Sequence, residues 1–191
     1  MTSRPRAHRS TTLLSASSLP PRPVMKLCLR TSLPGHWTLI DPLSHKPLYY
    51  VNGREIRRGT FDGPLIATMS SESSSQCRLS FSDQNTVIDI KAPGKLSVRG
   101  RHRFAVNGRK MYWKRNIVCR EASTRRVYAD TDDELITIYE LGEPLIDVIV
   151  LTFIAVQMKC KAARSGACSW FTYPPSKFIL IAADNTAGEV N

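Results

Sequence analysis

Between Arg99 and Arg126 the chain carries ten Lys/Arg and a single acid, Glu121. The cations are Arg99, Arg101, Arg103, Arg109, Lys110, Lys114, Arg115, Arg120, Arg125 and Arg126. A guanidinium is a planar fork of donors that holds a phosphate by two parallel hydrogen bonds. Projected into one neighbourhood, such groups create a positive field suited to phosphate-bearing partners. Anionic lipid headgroups fit that field. Nucleic acid fits less well, because Tyr112 and Trp113 are adjacent and strand alternation turns one ring inward, which weakens a stacking platform. The same residues would also make an ordinary solvated basic face, leaving a structural or protein-binding role as the main rival.

Other chemistry-bearing residues are less organised. The acidic cluster Asp130, Asp132, Asp133 and Glu134 sits in an expected turn and lacks the glycine and terminal glutamate of an EF-hand loop. Five cysteines (Cys28, Cys77, Cys119, Cys160, Cys168) contain no C-x-x-C pair, so reduced thiols are expected rather than a zinc site or disulfide framework. The histidines His8, His36, His45 and His102 have no partner at metal-ligand spacing and read as surface residues. No Gly-x-Ser-x-Gly elbow, P-loop, Gly-x-Gly-x-x-Gly or His-Glu-x-x-His is present. The expectation is a non-enzymatic protein without metal or cofactor.

The elements that must hold the basic residues are strands. From His36 onward, short alternating or apolar runs are separated by turn residues, the pattern of an antiparallel sheet or barrel. Twelve candidates emerge: His36–Ile40, Pro47–Val51, Glu55–Thr60, Leu65–Met69, Cys77–Ser82, Thr86–Lys91, Lys95–Arg99, Arg103–Val106, Arg109–Lys114, Ile117–Glu121, Arg125–Ala129 and Leu135–Tyr139. Asn107-Gly108 is the strongest hairpin signal, since a type I′ turn needs positive φ at both central residues; Asn52-Gly53 offers a second. Ser70–Gln76 reads as a polar loop.

Pro144–Arg164, PLIDVIVLTFIAVQMKCKAAR, is apolar on every side of a helical wheel as far as Met158. A helix of this kind must be surrounded by protein or lipid. Its 21 residues would extend about 31 Å, too long for one strand. Pro144 suits the first turn, Glu143 and Asp147 suit the positive end of the dipole, and Lys159, Lys161 and Arg164 suit the other end. Asp147, Thr152, Gln157 and Lys159 favour a protein core over a bilayer. Many strands and one wholly apolar helix together predict a mainly β protein: a closed antiparallel barrel of about 12 strands filled by a central C-terminal hydrophobic helix.

Phe104 to Arg164, with FAVNGRKMYWKRN, REASTRRVYAD and ELITIYELGEPLIDVIVLTFIAVQMKCKAAR, resembles the closing half of uncharacterised fungal domains related to the tubby C-terminal domain. HWTLIDPLSHKPLYYV and GPLIATM match more loosely, so the resemblance covers about Met25 to Arg164. It implies a twelve-stranded barrel threaded by a hydrophobic helix, as in tubby, the phospholipid scramblases and the plant LURP-one-related proteins. It also implies phosphoinositide binding through a basic surface, although no tubby lipid-site motif matches here residue by residue. The kinship with scramblases suggests Cys160 and Cys168 as fatty-acylation sites.

The ends depart from this domain. Residues 1–35 hold six Lys/Arg and no acid, +6 of the formal +11. Residues 1–24 read as a disordered basic tail, a mitochondrial targeting segment or an extension upstream of a start at Met25. Residues 25–166 form the expected barrel domain, in an intracellular and most simply cytoplasmic setting, and residues 167–191 are an atypical extension.

Overall fold

The computed structural model describes residues 21–33, 36–73, 75–83, 85–92, 100–115, 117–132 and 134–164. Within them twelve strands run in chain order: β1 (Pro23–Leu33), β2 (His36–Ile40), β3 (Pro47–Asn52), β4 (Glu55–Arg58), β5 (Leu65–Ser73), β6 (Gln76–Phe81), β7 (Val87–Lys91), β8 (Arg101–Val106), β9 (Arg109–Lys114), β10 (Val118–Glu121), β11 (Val127–Asp132) and β12 (Leu135–Tyr139). Each strand pairs antiparallel with its sequence neighbour, and β1 pairs with β12 to close the barrel. Closure leaves the sheet without an edge.

A 3-10 turn, Glu140–Leu145, leads from β12 into helix α1, Ile146–Arg164. Ile149–Leu151 and Phe153–Val156 are all buried, so every side of the helix faces the barrel wall. The stretch Glu140–Cys160 is long and apolar enough to cross a membrane, yet here the strands surround it. Full burial contributes about 1.5–3 kcal/mol for each large apolar side chain. Thr152, the polar interruption within this run, is satisfied inside: Trp113 Nε1–H donates to its Oγ1 at 3.0 Å, and its own hydroxyl donates to the Ile149 carbonyl at 3.1 Å. The Trp113 and Phe153 rings meet with centroids 5.6 Å apart.

The turn into the barrel depends on Gly142. A Cβ there would lie 2.6 Å from the Tyr128 carbonyl oxygen, 2.8 Å from Ile138 Cγ2 and 2.9 Å from Ile149 Cδ1. Asp147, in the first turn of α1, accepts from Arg58 at 2.9 and 2.6 Å and from the Tyr49 hydroxyl at 2.5 Å. Burial raises the Asp147 carboxyl, but the Arg58 and Tyr49 hydrogen bonds outweigh it and hold the group below its ordinary range.

Eleven of the twelve strands expected from the sequence coincide with observed ones, and Lys95–Arg99 lies outside the described residues. β1 was not expected as a strand. Its alternation is regular, with Leu27 and Leu29 buried, but it follows directly on the basic tail and shares its charge. It begins at Pro23, inside the span assigned to that tail; residues 1–20 and 165–191 lie outside the described residues. Ser70–Gln76 is not simply a loop: β5 continues to Ser73 and β6 starts at Gln76, with Ser71 opposite Cys77. Serines on an exposed strand end look like loop residues because the backbone ladder makes no demand on their side chains. Asn107 and Gly108 have φ of 49° and 74°, as a type I′ turn requires. At Asn52-Gly53 the turn lies one residue later: Asn52 pairs with Glu55, and Gly53 alone of the turn pair has positive φ, 55°.

Candidate functional site

Strand alternation sorts the basic run into an inner and an outer set. On β8, His102, Phe104 and Val106 face inward while Arg101, Arg103 and Ala105 are exposed. The register places Lys114 opposite Arg101, Tyr112 opposite Arg103 and Lys110 opposite Ala105 on the outer face. β10 continues the wall, with Arg120 opposite Tyr112. β7 begins it, with Lys91 opposite Arg103. One row across four strands therefore reads Lys91, Arg103, Tyr112, Arg120. At about 4.8 Å per strand it spans about 14 Å.

Tyr112 lies beneath this wall rather than on it. The Arg101 guanidinium sits 5.0 Å from its ring centroid, and the residue is only 8% exposed. Trp113 faces the core at 0% exposure. Neither ring offers an open face on which a base could stack.

The remaining predicted residues divide between the two ends of the barrel. Arg109 stands beside the β8–β9 turn and donates to the Tyr128 hydroxyl at 3.1 Å, and Arg125 and Arg126 occupy the β10–β11 turn at the same end. Gly108, Arg109, Lys110, Glu121, Ala122 and Ser123 line a cleft of about 430 Å³ between these two turns. Glu121 places a carboxylate in that cleft; the Thr124 hydroxyl, 2.6 Å away, holds it below the usual carboxylate range. This weakens the cleft as a phosphate pocket. Arg115, at φ 54°, caps the opposite end of β9, and Arg99 lies outside the described residues. The run is thus an outer wall with two separated rims rather than one cluster.

None of Arg101, Arg103, Lys110, Lys114, Arg115, Arg125 and Arg126 has a carboxylate partner among the described residues. Lys91 belongs to the same wall, and the sequence reading omitted it because a residue count of basic density stops at Arg99. Parity across the β7–β8 pair would have supplied it.

Two expectations are corrected by burial. His102 is not a surface histidine: it is 3% exposed, with Nδ1 unpartnered among the described residues. Burial first, and the neighbouring Lys159 charge second, push its pKa down to about 4. Its parity with Phe104 and Val106 dictates this position. Cys160, a suggested acylation site, is 6% exposed inside the barrel, and Cys168 lies outside the described residues. Burial raises Cys77 to about 11, the opposite of an activated thiolate.

In the acidic cluster, Asp130 accepts from the Tyr139 hydroxyl at 2.6 Å, Asp132 and Glu134 are exposed and Asp133 lies outside the described residues. Among the described residues no three His, Cys, Asp or Glu side chains converge in metal-ligating geometry. Comparison with known proteins finds no matching family model, no matching curated protein and no matching solved structure.

Proposed function

We propose that this protein is a non-enzymatic barrel module, related to the tubby C-terminal domain, that binds anionic phosphate-bearing membrane surfaces through the outer wall of β8–β10. The observation carrying this reading is that Arg101, Arg103, Lys110 and Lys114 share one exposed face and have no carboxylate partner among the described residues. Guanidinium and ammonium groups without a carboxylate partner can turn to phosphate oxygens without first breaking an ion pair, at a cost of about 0.5–1.5 kcal/mol for each side chain fixed. A closed barrel around a central helix also supports the relationship, because that architecture is what the resemblance implies. The wall gathers cations and a covered tyrosine, the chemistry of holding an anion rather than of turning one over. A headgroup reader of this kind would work on the cytoplasmic side of a membrane.

The test is co-sedimentation of the full chain with neutral, phosphatidylserine and phosphoinositide vesicles at low and high salt, beside an Arg101/Arg103/Lys110/Lys114 glutamine variant. Both proteins carry the same basic N-terminal residues, so their difference reports on the wall. Binding to anionic vesicles that falls at least tenfold in the variant and weakens with salt is expected. Equal binding by both proteins, or none at low salt, would overturn the reading in favour of a structural or protein-binding module.

A further inference from the structure

The basic wall crosses the seam between β7 and β8. β7 and β8 are joined, among the described residues, by a single registered pair, Lys91 opposite Arg103, whereas every other neighbouring pair of strands is joined by a longer ladder. That pair sets two cations against each other on the outer face, and like charges directly opposite weaken a strand pair. Asp89, two residues from Lys91 on β7, accepts from Arg78 at 2.9 Å and is shared between Arg78 and Lys91, so one carboxylate faces three cations there. The facing side chains therefore leave an excess of positive charge at the seam.

We propose that a phosphate group bound on the wall bridges Lys91 and Arg103 and so fastens β7 to β8, coupling occupancy of the wall to closure of the barrel. The proposal rests on the headgroup-binding reading above and adds Lys91 to that site. A dianion between the two cations replaces repulsion by two charge-assisted contacts. A ligand that prefers the closed seam must, by linkage, stabilise it. Free and membrane-borne phosphate share the chemistry, and the effect at the seam is the same for both.

The experiment is hydrogen exchange of the full chain, read at the backbone amides of residues 87–91 and 101–106, alone, with inositol trisphosphate and with vesicles containing a phosphoinositide. Protection of these amides is expected to rise at least tenfold with either probe, with smaller changes at β3–β5. Lys91→Gln removes the like-charge pair and should abolish the ligand-dependent increment. Lys91→Glu places a carboxylate opposite Arg103 and should protect the seam at least tenfold with no ligand present. Protection with vesicles alone would assign the ligand to the membrane, and protection with both would assign recognition to the phosphate itself. Either result upholds the seam. Binding measured by co-sedimentation without protection at β7 and β8, or a Lys91→Glu seam as exchangeable as wild type, overturns the seam while leaving the headgroup reading intact. No binding of either probe at low salt overturns both.

Discussion

Arg57, Arg58 and Arg78, on β4 and β6, each lie against a carboxylate: Glu55 at 2.8 Å, Asp147 at 2.6 Å, and Asp89 at 2.9 Å with Glu72 at 3.2 Å. Arg101, Arg103, Lys110 and Lys114, on β8 and β9, face solvent with no such neighbour among the described residues. Residue type and strand placement are alike on both sides, so charge density alone does not separate a structural cation from one available to a partner. What separates them is whether an acid lies within reach, from the facing strand for Arg78, the same strand for Arg57 or the enclosed helix for Arg58. Arg78 faces Asp89 across β6–β7, while Arg101 faces Lys114 across β8–β9.

The comparison collapses altogether if both walls lose the helix they enclose. Phe153→Asp or Ile149→Asp places an unpaired charge at a position of 0% exposure and should cost on the order of 5 kcal/mol, comparable with the stability of a domain. Circular dichroism should show an unfolded or aggregated chain. A soluble variant with unchanged Tm would contradict the enclosed helix.

A smaller effect arises from inside the β8 wall itself. His102 has a folded pKa of about 4 against about 6.5 when unfolded, so the unfolded chain binds the extra proton between those values. Stability should therefore fall as pH drops from about 6.5 to about 4, by about 3 kcal/mol in all, and level off below. Denaturant midpoints measured across that range should lose most of this dependence in His102→Phe, whereas an unchanged profile would place the proton elsewhere.

On the paired side, Asp147→Asn should lower stability by about 2 kcal/mol, since Arg58 and Tyr49 lose their charged acceptor. A double-mutant cycle with Arg58→Gln should return a favourable coupling. Zero coupling would equate the two sides and remove the contrast. The smallest change belongs to the unpaired side. Arg103→Gln or Lys114→Gln should shift Tm by no more than the equivalent of about 0.5 kcal/mol. A larger destabilisation by either would make these cations structural and weaken their assignment to a ligand.

The sequence made some of this legible and hid the rest for identifiable reasons. Helix α1 and the Asn107-Gly108 turn were readable because each depends on local chemistry, apolar character on every face in one case and positive φ in the other. Burial of Trp113 followed from period-2 alternation, and the same argument applied to RHRFAV would have placed His102 inside. The Arg58–Asp147 pair joins residues 89 apart in the chain, and no local pattern announces it. For the basic run, composition revealed the charge but not its division into a wall and two rims, which depends on strand direction and register. Lys91 joins the wall across a connection that interrupts the run, so its membership is a property of the sheet.

The position of α1 after the strands and the closure of β1 on β12 also determine when this fold becomes available to a growing chain. The innermost element, α1, follows all twelve strands, and β1 must wait for β12 before it gains its second neighbour. During synthesis the strands emerge without the segment that will fill them, and long-range pairings of this kind form slowly. Native architecture thus arrives late and as a unit, when the contacts between helix and wall become available together. A chaperone that shields strand faces until α1 has left the ribosome would act at the step where this topology is most exposed.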